Sequence, residues 1–167
     1  MAQMFDHPRL NDWTIRYTEF LKESIEIARE LCIDWDSEGV TCFSWVGDGI
    51  EAITGHNPHD PHRGQYSGLV GTCRYLKKLG YSSFNDFIAD RFKEIPVGMA
   101  QAGDIVLVNN SGWTNEHPDE ALVAEEMMPC AVALCDPPFY FGVTEHGLVR
   151  GDLYTQGVRA FAVGRSV

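Results

Sequence analysis

One cysteine, a run of spaced histidines and a few carboxylates are the side chains of this sequence that could do chemistry. The stretch GVTCFSWVGDGIEAITG, residues 39–55, places Cys42 where a helix should begin. A helix N-terminus carries partial positive charge and free N–H groups, and both stabilise a thiolate. Thiol hydrolases use such a placement, with an imidazole as the base. The competing reading is a small apolar core residue, because free cysteine is among the most buried residue types. A base would have to come from elsewhere in the chain. His56, His59 and His62 recur every three residues, a spacing that raises metal binding. Pro58 and Pro61 interrupt that segment, however, so the three rings do not share a helix face and a solvated loop is expected. His117 lies in an acidic stretch. His146, in the EHGLV turn between two expected strands, is held more firmly and is the candidate base. Asp48, six residues after Cys42, lies around the helix from it and reads as structural, bonded to backbone or to Arg63.

The elements that must position these residues fall into two halves. Trp13, Tyr17, Phe20, Leu21, Ile25, Ala28 and Leu31 recur at helical spacing and predict a helix over 12–31. Further helices are expected at 42–54, stopped by Gly55, at 67–79, stopped by Gly80, and at 83–92. Gly47 and Gly49 each cost the second helix about 1 kcal/mol relative to alanine. Close packing of that helix on a sheet would explain them. After Pro96 the texture changes. Strands are expected at 104–109, 130–135, 139–143 and 158–163, with Asp104 fixing the turn into the first. Helices first and strands second predict an α+β fold with N-terminal helices packed on a C-terminal antiparallel sheet.

Composition narrows the classes of function. A net charge of −11 argues against binding a phosphate backbone, so no nucleic-acid partner is expected. No apolar run is long enough to span a bilayer, and MAQMFDHPRL has no apolar core, so neither a membrane span nor a secretory leader is expected. Five cysteines without a CxxC pair fit a protein made in a reducing cytoplasm. No structural metal and no cofactor are expected, and no GxxxxGK phosphate loop is present.

The motif W-x-x-x-G-x-x-C-x-x-x-x-x-D-x-I-E-A-I-T-G-x-N-P, from Trp35 to Pro58, resembles a family of small phage and prophage tail-cluster proteins distantly related to NlpC-type, papain-like cysteine peptidases. RGQY at 63–66, LKKLGYSSFNDF at 76–87, AQAGDIVLV at 100–108, DWTIRYTEFL near the N-terminus and the closing HGLV and RAFAVG carry the resemblance over nearly the whole chain. It implies one papain-like (NlpC-like) domain over 1–167, with Cys42 at the nucleophile position. Two departures stand out. The peptidase relatives carry an acidic residue just before the cysteine, where this chain has Thr41. They also carry a histidine at the start of the strand after the GD strand, where this chain reads MMPCAVALC. A thiolate without its base is a poor acyl-transfer catalyst. The resemblance therefore implies a structural or assembly protein of the phage tail-tip or hub region with a degenerate peptidase site, made in the host bacterial cytoplasm and located in the virion tail. The alternative is an active cysteine hydrolase acting on peptidoglycan peptides through Cys42 and His146.

The segment NNSGWTNEHPDEALVAEEMM, residues 109–128, stands apart from the resemblance and reads as an acidic insertion. It carries Glu116, Asp119, Glu120, Glu125 and Glu126 without a lysine or arginine. Trp113, Met127 and Met128 are its candidate anchors on a neighbouring tail protein, because Trp and Met are enriched at interfaces and charged rims steer partners.

Overall fold

The computed structural model describes residues 3–34, 40–109 and 126–167. Trp35, Trp113, His117 and most of the acidic segment lie outside the described residues. Four helices lead the chain: α1 (Trp13–Glu26), α2 (Cys42–Thr54), α3 (Gly68–Lys78) and α4 (Phe84–Ala89). The strands follow as β1 (Lys93–Ile95), β2 (Ile105–Asn109), β3 (Cys130–Asp136), β4 (Phe139–Thr144), β5 (Gly147–Asp152) and β6 (Gly157–Ala162). A short helix, α5 (Leu153–Gln156), joins β5 to β6. The six strands form one sheet in the order β1-β6-β2-β3-β4-β5, antiparallel at each pairing. The fold is mixed α+β, with helices followed by an antiparallel sheet.

The helix α2 is the hub. Val46, Ile50 and Ile53 on it are fully buried. It packs on β3, β4 and α1. Both of its ends are chemically fixed. Thr41 Oγ1 accepts from the Ser44 N–H at 3.0 Å, and Ser44 Oγ accepts from the Thr41 N–H at 2.8 Å. This reciprocal box satisfies two donors that the first turn would otherwise leave bare. Gly55 closes the helix with φ 79°, a left-handed conformation that suits glycine. Gly49 lies where a side chain would meet Leu134 Cδ1 at 2.4 Å and Phe20 Cε1 at 2.8 Å. Close approach to the sheet and to α1 therefore accounts for that glycine, as expected. Gly47 serves another contact: its missing Cβ would fall 2.4 Å from Asn57 Oδ1 and 2.9 Å from His59 Cβ. It admits the loop after the helix and not the sheet.

Three expectations about elements need correction. Helix α1 stops at Glu26, short of residue 31, because the Ala28 carbonyl accepts from the Leu148 N–H at 2.8 Å and Ile33 N–H donates to Thr144 O at 2.9 Å. The backbone there serves the β4–β5 turn instead of continuing a helix. β1 and β5 add edge strands that were not anticipated. Asp104 does more than set a turn. It receives the Gln101 N–H at 2.9 Å, as a turn former should, but also the Val163 N–H at 3.0 Å and the guanidinium groups of Arg9 and Arg165. Its side chain is fully buried, so this cluster ties residues 9, 104 and 165 together inside the protein.

Candidate functional site at the start of the second helix

Cys42 is the first residue of α2, directly after the capping Thr41. Its position at the N-terminal end of a helix packed on the sheet is as expected. Its environment is apolar. The side chain is 5% exposed and belongs to the main core cluster, which also holds Val132 of β3. Burial pushes its thiol up from the ordinary value, opposed only by backbone groups of Val132, Phe43 and Cys42 itself. The helix-end effect that could lower a cysteine is thus outweighed by desolvation.

A small cavity opens beside the thiol. It encloses about 30 Å³ and is lined by Cys42 and Phe43 of α2, His62 and Tyr66 of the following loop, Tyr75 of α3, Phe87 of α4 and Met128, among others. Space of this size is near the minimum that holds one water molecule.

The histidines fall differently from expectation. His146 is exposed in the β4–β5 turn, where its backbone N–H donates to Thr144 Oγ1 at 3.1 Å. It is not among the residues that line the cavity, so the structure does not bring it to Cys42. The loop 56–67, expected to be solvated, instead turns two of its imidazoles inward. His59 and His62 are 5% and 8% exposed. His59 Nε2 lies 2.6 Å from Tyr66 Oη, and His62 Nδ1 lies 2.7 Å from Tyr75 Oη. Both imidazoles pack against the Phe43 ring, and Tyr66 stacks on Tyr75 with centroids 5.6 Å apart. His56 diverges from them, stacking on His7 at 3.8 Å. Among the described residues no group of three or more His, Cys, Asp or Glu could hold a metal ion.

Electrostatics keep the inward pair neutral. Burial, then Arg63, then His62 push His59 down to about 4. Burial and then Arg91 lower His62. Tyr66 faces the cysteine: its phenol is raised by burial, Thr41 hydrogen-bonds it, and a charge on Cys42 would raise it further. The arrangement is a neutral, mostly apolar wall of aromatic rings beside a protonated thiol. His62, weighed from its spacing as a metal ligand and expected in a solvated loop, and Tyr66, noted only within the RGQY motif, are the residues that line the site. The signal available for them was the pairing of two histidines with two downstream tyrosines, visible only once α3 folds back on the loop.

Asp48 is half exposed and structural, accepting from Asn57 Nδ2 at 3.0 Å and lying 3.5 Å from Arg63. Met127 and Met128 are 1% and 3% exposed. They lie in the chain's own core, with Met128 in the cavity wall, which corrects their reading as anchors for a neighbour. Trp113 lies outside the described residues.

The fold and this site define an α+β domain whose helix-start cysteine is sealed in the core. Residues 8–163 match the model of the family described as Domain of unknown function (DUF6950), and the chain belongs to that family. Comparison with curated proteins gave no match.

Proposed function

We propose that this chain is a structural or assembly protein of a phage tail, in the tail-tip or hub region, built on a papain-like (NlpC-like) core whose thiol no longer catalyses. The tail context rests on the sequence resemblance. The observation that carries the loss of catalysis is Cys42 itself: a cysteine at a helix start, buried, with its thiol raised and opposed only by backbone groups. A nucleophilic cysteine needs thiolate at neutral pH and room for an acyl group beside it. Neither condition is met in a cavity of about 30 Å³.

One observation favours the alternative of an active hydrolase. His62 lines the same cavity as Cys42, so an imidazole is present although His146 is not. Its lowered proton affinity makes transfer from a raised thiol unfavourable, and the structural reading is preferred for that reason. Two measurements test the proposal. Purified particles are digested and searched for peptides of this chain by mass spectrometry; their absence would remove the tail assignment. Peptidoglycan is incubated with the protein, with Cys42→Ala and with His62→Gln. No release of peptide products is expected, and Cys42-dependent release would establish the hydrolase instead.

A further inference from the structure

We propose that the loop 56–67 is an acid-released cover over Cys42, held to α3 by the His62–Tyr75 contact and braced within itself by the His59–Tyr66 contact. The inference does not depend on whether Cys42 reacts with any biological substrate.

The cover is defined by the residues that line the cavity beside the thiol. His62 and Tyr66 come from the loop, and Tyr75 on α3 supplies the frame that the loop closes against. The loop is bounded by Gly55 and Gly68, with φ 79° and 71°, conformations that glycine adopts without strain. Between them, the His62–Tyr75 contact ties the loop to α3, and the His59–Tyr66 contact braces the loop internally.

The two phenol oxygens can accept from either a neutral or a charged ring, so the cost of protonation falls on the other ring nitrogen. His59 Nδ1 is buried and has no hydrogen-bond partner among the described residues. With Nε2–H donating to Tyr66, a neutral ring keeps a lone pair there. Protonation would place an N–H donor and a positive charge in a site with no acceptor, which is costly. The surroundings offer no relief. On its own loop His59 faces Arg63, His62 and Asp60, and the Asp60 carboxylate already accepts from Arg63 Nε at 2.7 Å. The helix α2 presents Phe43 and the bare Gly47. Asp48 of α2 is engaged with Asn57 and Arg63. Around His62 stand Tyr75 of α3, Phe87 of α4 and the Arg91 cation beyond it. Two protonated imidazoles would thus sit beside two arginines with no free carboxylate to receive them. Swinging the loop outward hydrates both rings and uncovers the thiol, while the α2–sheet core stays intact.

The test is selective labelling of Cys42 in dilute full-length protein by 4,4′-dithiodipyridine. Rates are expressed relative to free cysteine at the same pH, and labelled positions are located by peptide mass spectrometry. Lowering the pH from about 7.5 to about 4.5 should raise the relative rate at Cys42 on the order of tenfold or more. Cys73 and Cys135, deep in the core at 1% and 0% exposure, should stay unlabelled. The double variant His59→Gln, His62→Gln should lose the rise. Tyr75→Phe, which removes the tie to α3 without changing a charge, should raise Cys42 labelling already at neutral pH and keeps the test decisive if the double variant folds poorly. A flat profile at Cys42, a rise shared by Cys73 and Cys135, or a rise that survives in the double variant would overturn the proposal.

Discussion

Cys42 and Asp104 show how much one buried polar atom depends on what faces it. Only backbone groups oppose the effect of burial on the Cys42 sulfur, so it stays a thiol. Iodoacetamide at neutral pH is expected to alkylate it on the order of tenfold more slowly than free cysteine, because the thiolate is the reacting form. Labelling faster than free cysteine would contradict its place in the core. Asp104 is the opposite case, a fully buried carboxylate satisfied by two guanidinium groups and two N–H donors. Replacing it with alanine leaves Arg9 and Arg165 as uncompensated, largely buried charges. A loss of about 3–5 kcal/mol is expected, read from urea unfolding. Only part of this was legible in the sequence. The GD pair announced a turn, but the two arginines are 95 and 61 residues away, and nothing local points to them. His59 and His62 were hidden for the same reason. HNPHDPH is locally polar, and its burial comes from Phe43, Tyr66 and Tyr75, which reach it only through the tertiary fold.

Among the elements, legibility followed the strength of local signals. Helix α2 matches its expected bounds of 42–54 because a capping box marks one end and a left-handed glycine the other. Helix α1 overran its true end because Ala28 and Leu31 continue the apolar period, while the deciding hydrogen bond goes to Leu148 on a strand far along the chain. β5 was missed because GLVRGD holds two glycines, an arginine and an aspartate, and an edge strand needs little apolar character. Two glycines in helices make a paired prediction. Gly49→Ala gains helix propensity of about 1 kcal/mol but drives a methyl group into Leu134 and Phe20, and a net loss of about 1–2 kcal/mol is expected. Gly71, inside α3, has nothing within 4 Å of an added Cβ, so Gly71→Ala should stabilise by up to about 1 kcal/mol. Thermal or urea unfolding of both variants, compared with wild type, decides the pair. Equal effects would mean that packing at Gly49 is looser than its contacts imply.

For the whole molecule, the inward histidines set a pH dependence of stability. The folded-state value of His59, about 4, lies below the ordinary 6.5. Between these values the unfolded chain binds a proton that the folded chain does not, so stability falls as pH drops through that window and is fully present above about 6.5. The lowered value of His59 costs stability at the acid end, and His62 acts in the same direction. Urea unfolding at about pH 7.5 and about pH 4.5 should show that His59→Gln loses a smaller part of its stability on acidification than wild type does. An identical loss in both would mean that His59 is solvated in the folded protein. Among the described residues no helix is long and apolar enough to cross a membrane.

The strand order carries a consequence for how the protein is made. β6, the last strand in the chain, lies between β1 and β2, pairing Phe161 with Glu94 on one side and with Ile105 on the other. Until β6 leaves the ribosome, β1 has no partner strand and β2 has one open edge. Arg165, which helps neutralise Asp104, emerges later still. During synthesis the chain therefore carries a run paired on one side only, IVLV at 105–108, whose affinity for another open edge is a hazard until residues 157–162 arrive. Ribosome-bound chains halted before residue 157 should remain protease-sensitive and draw chaperones, whereas chains extended past β6 should close the sheet in one late step. The time at risk is set by when β6 is translated, whatever the stability of the finished fold.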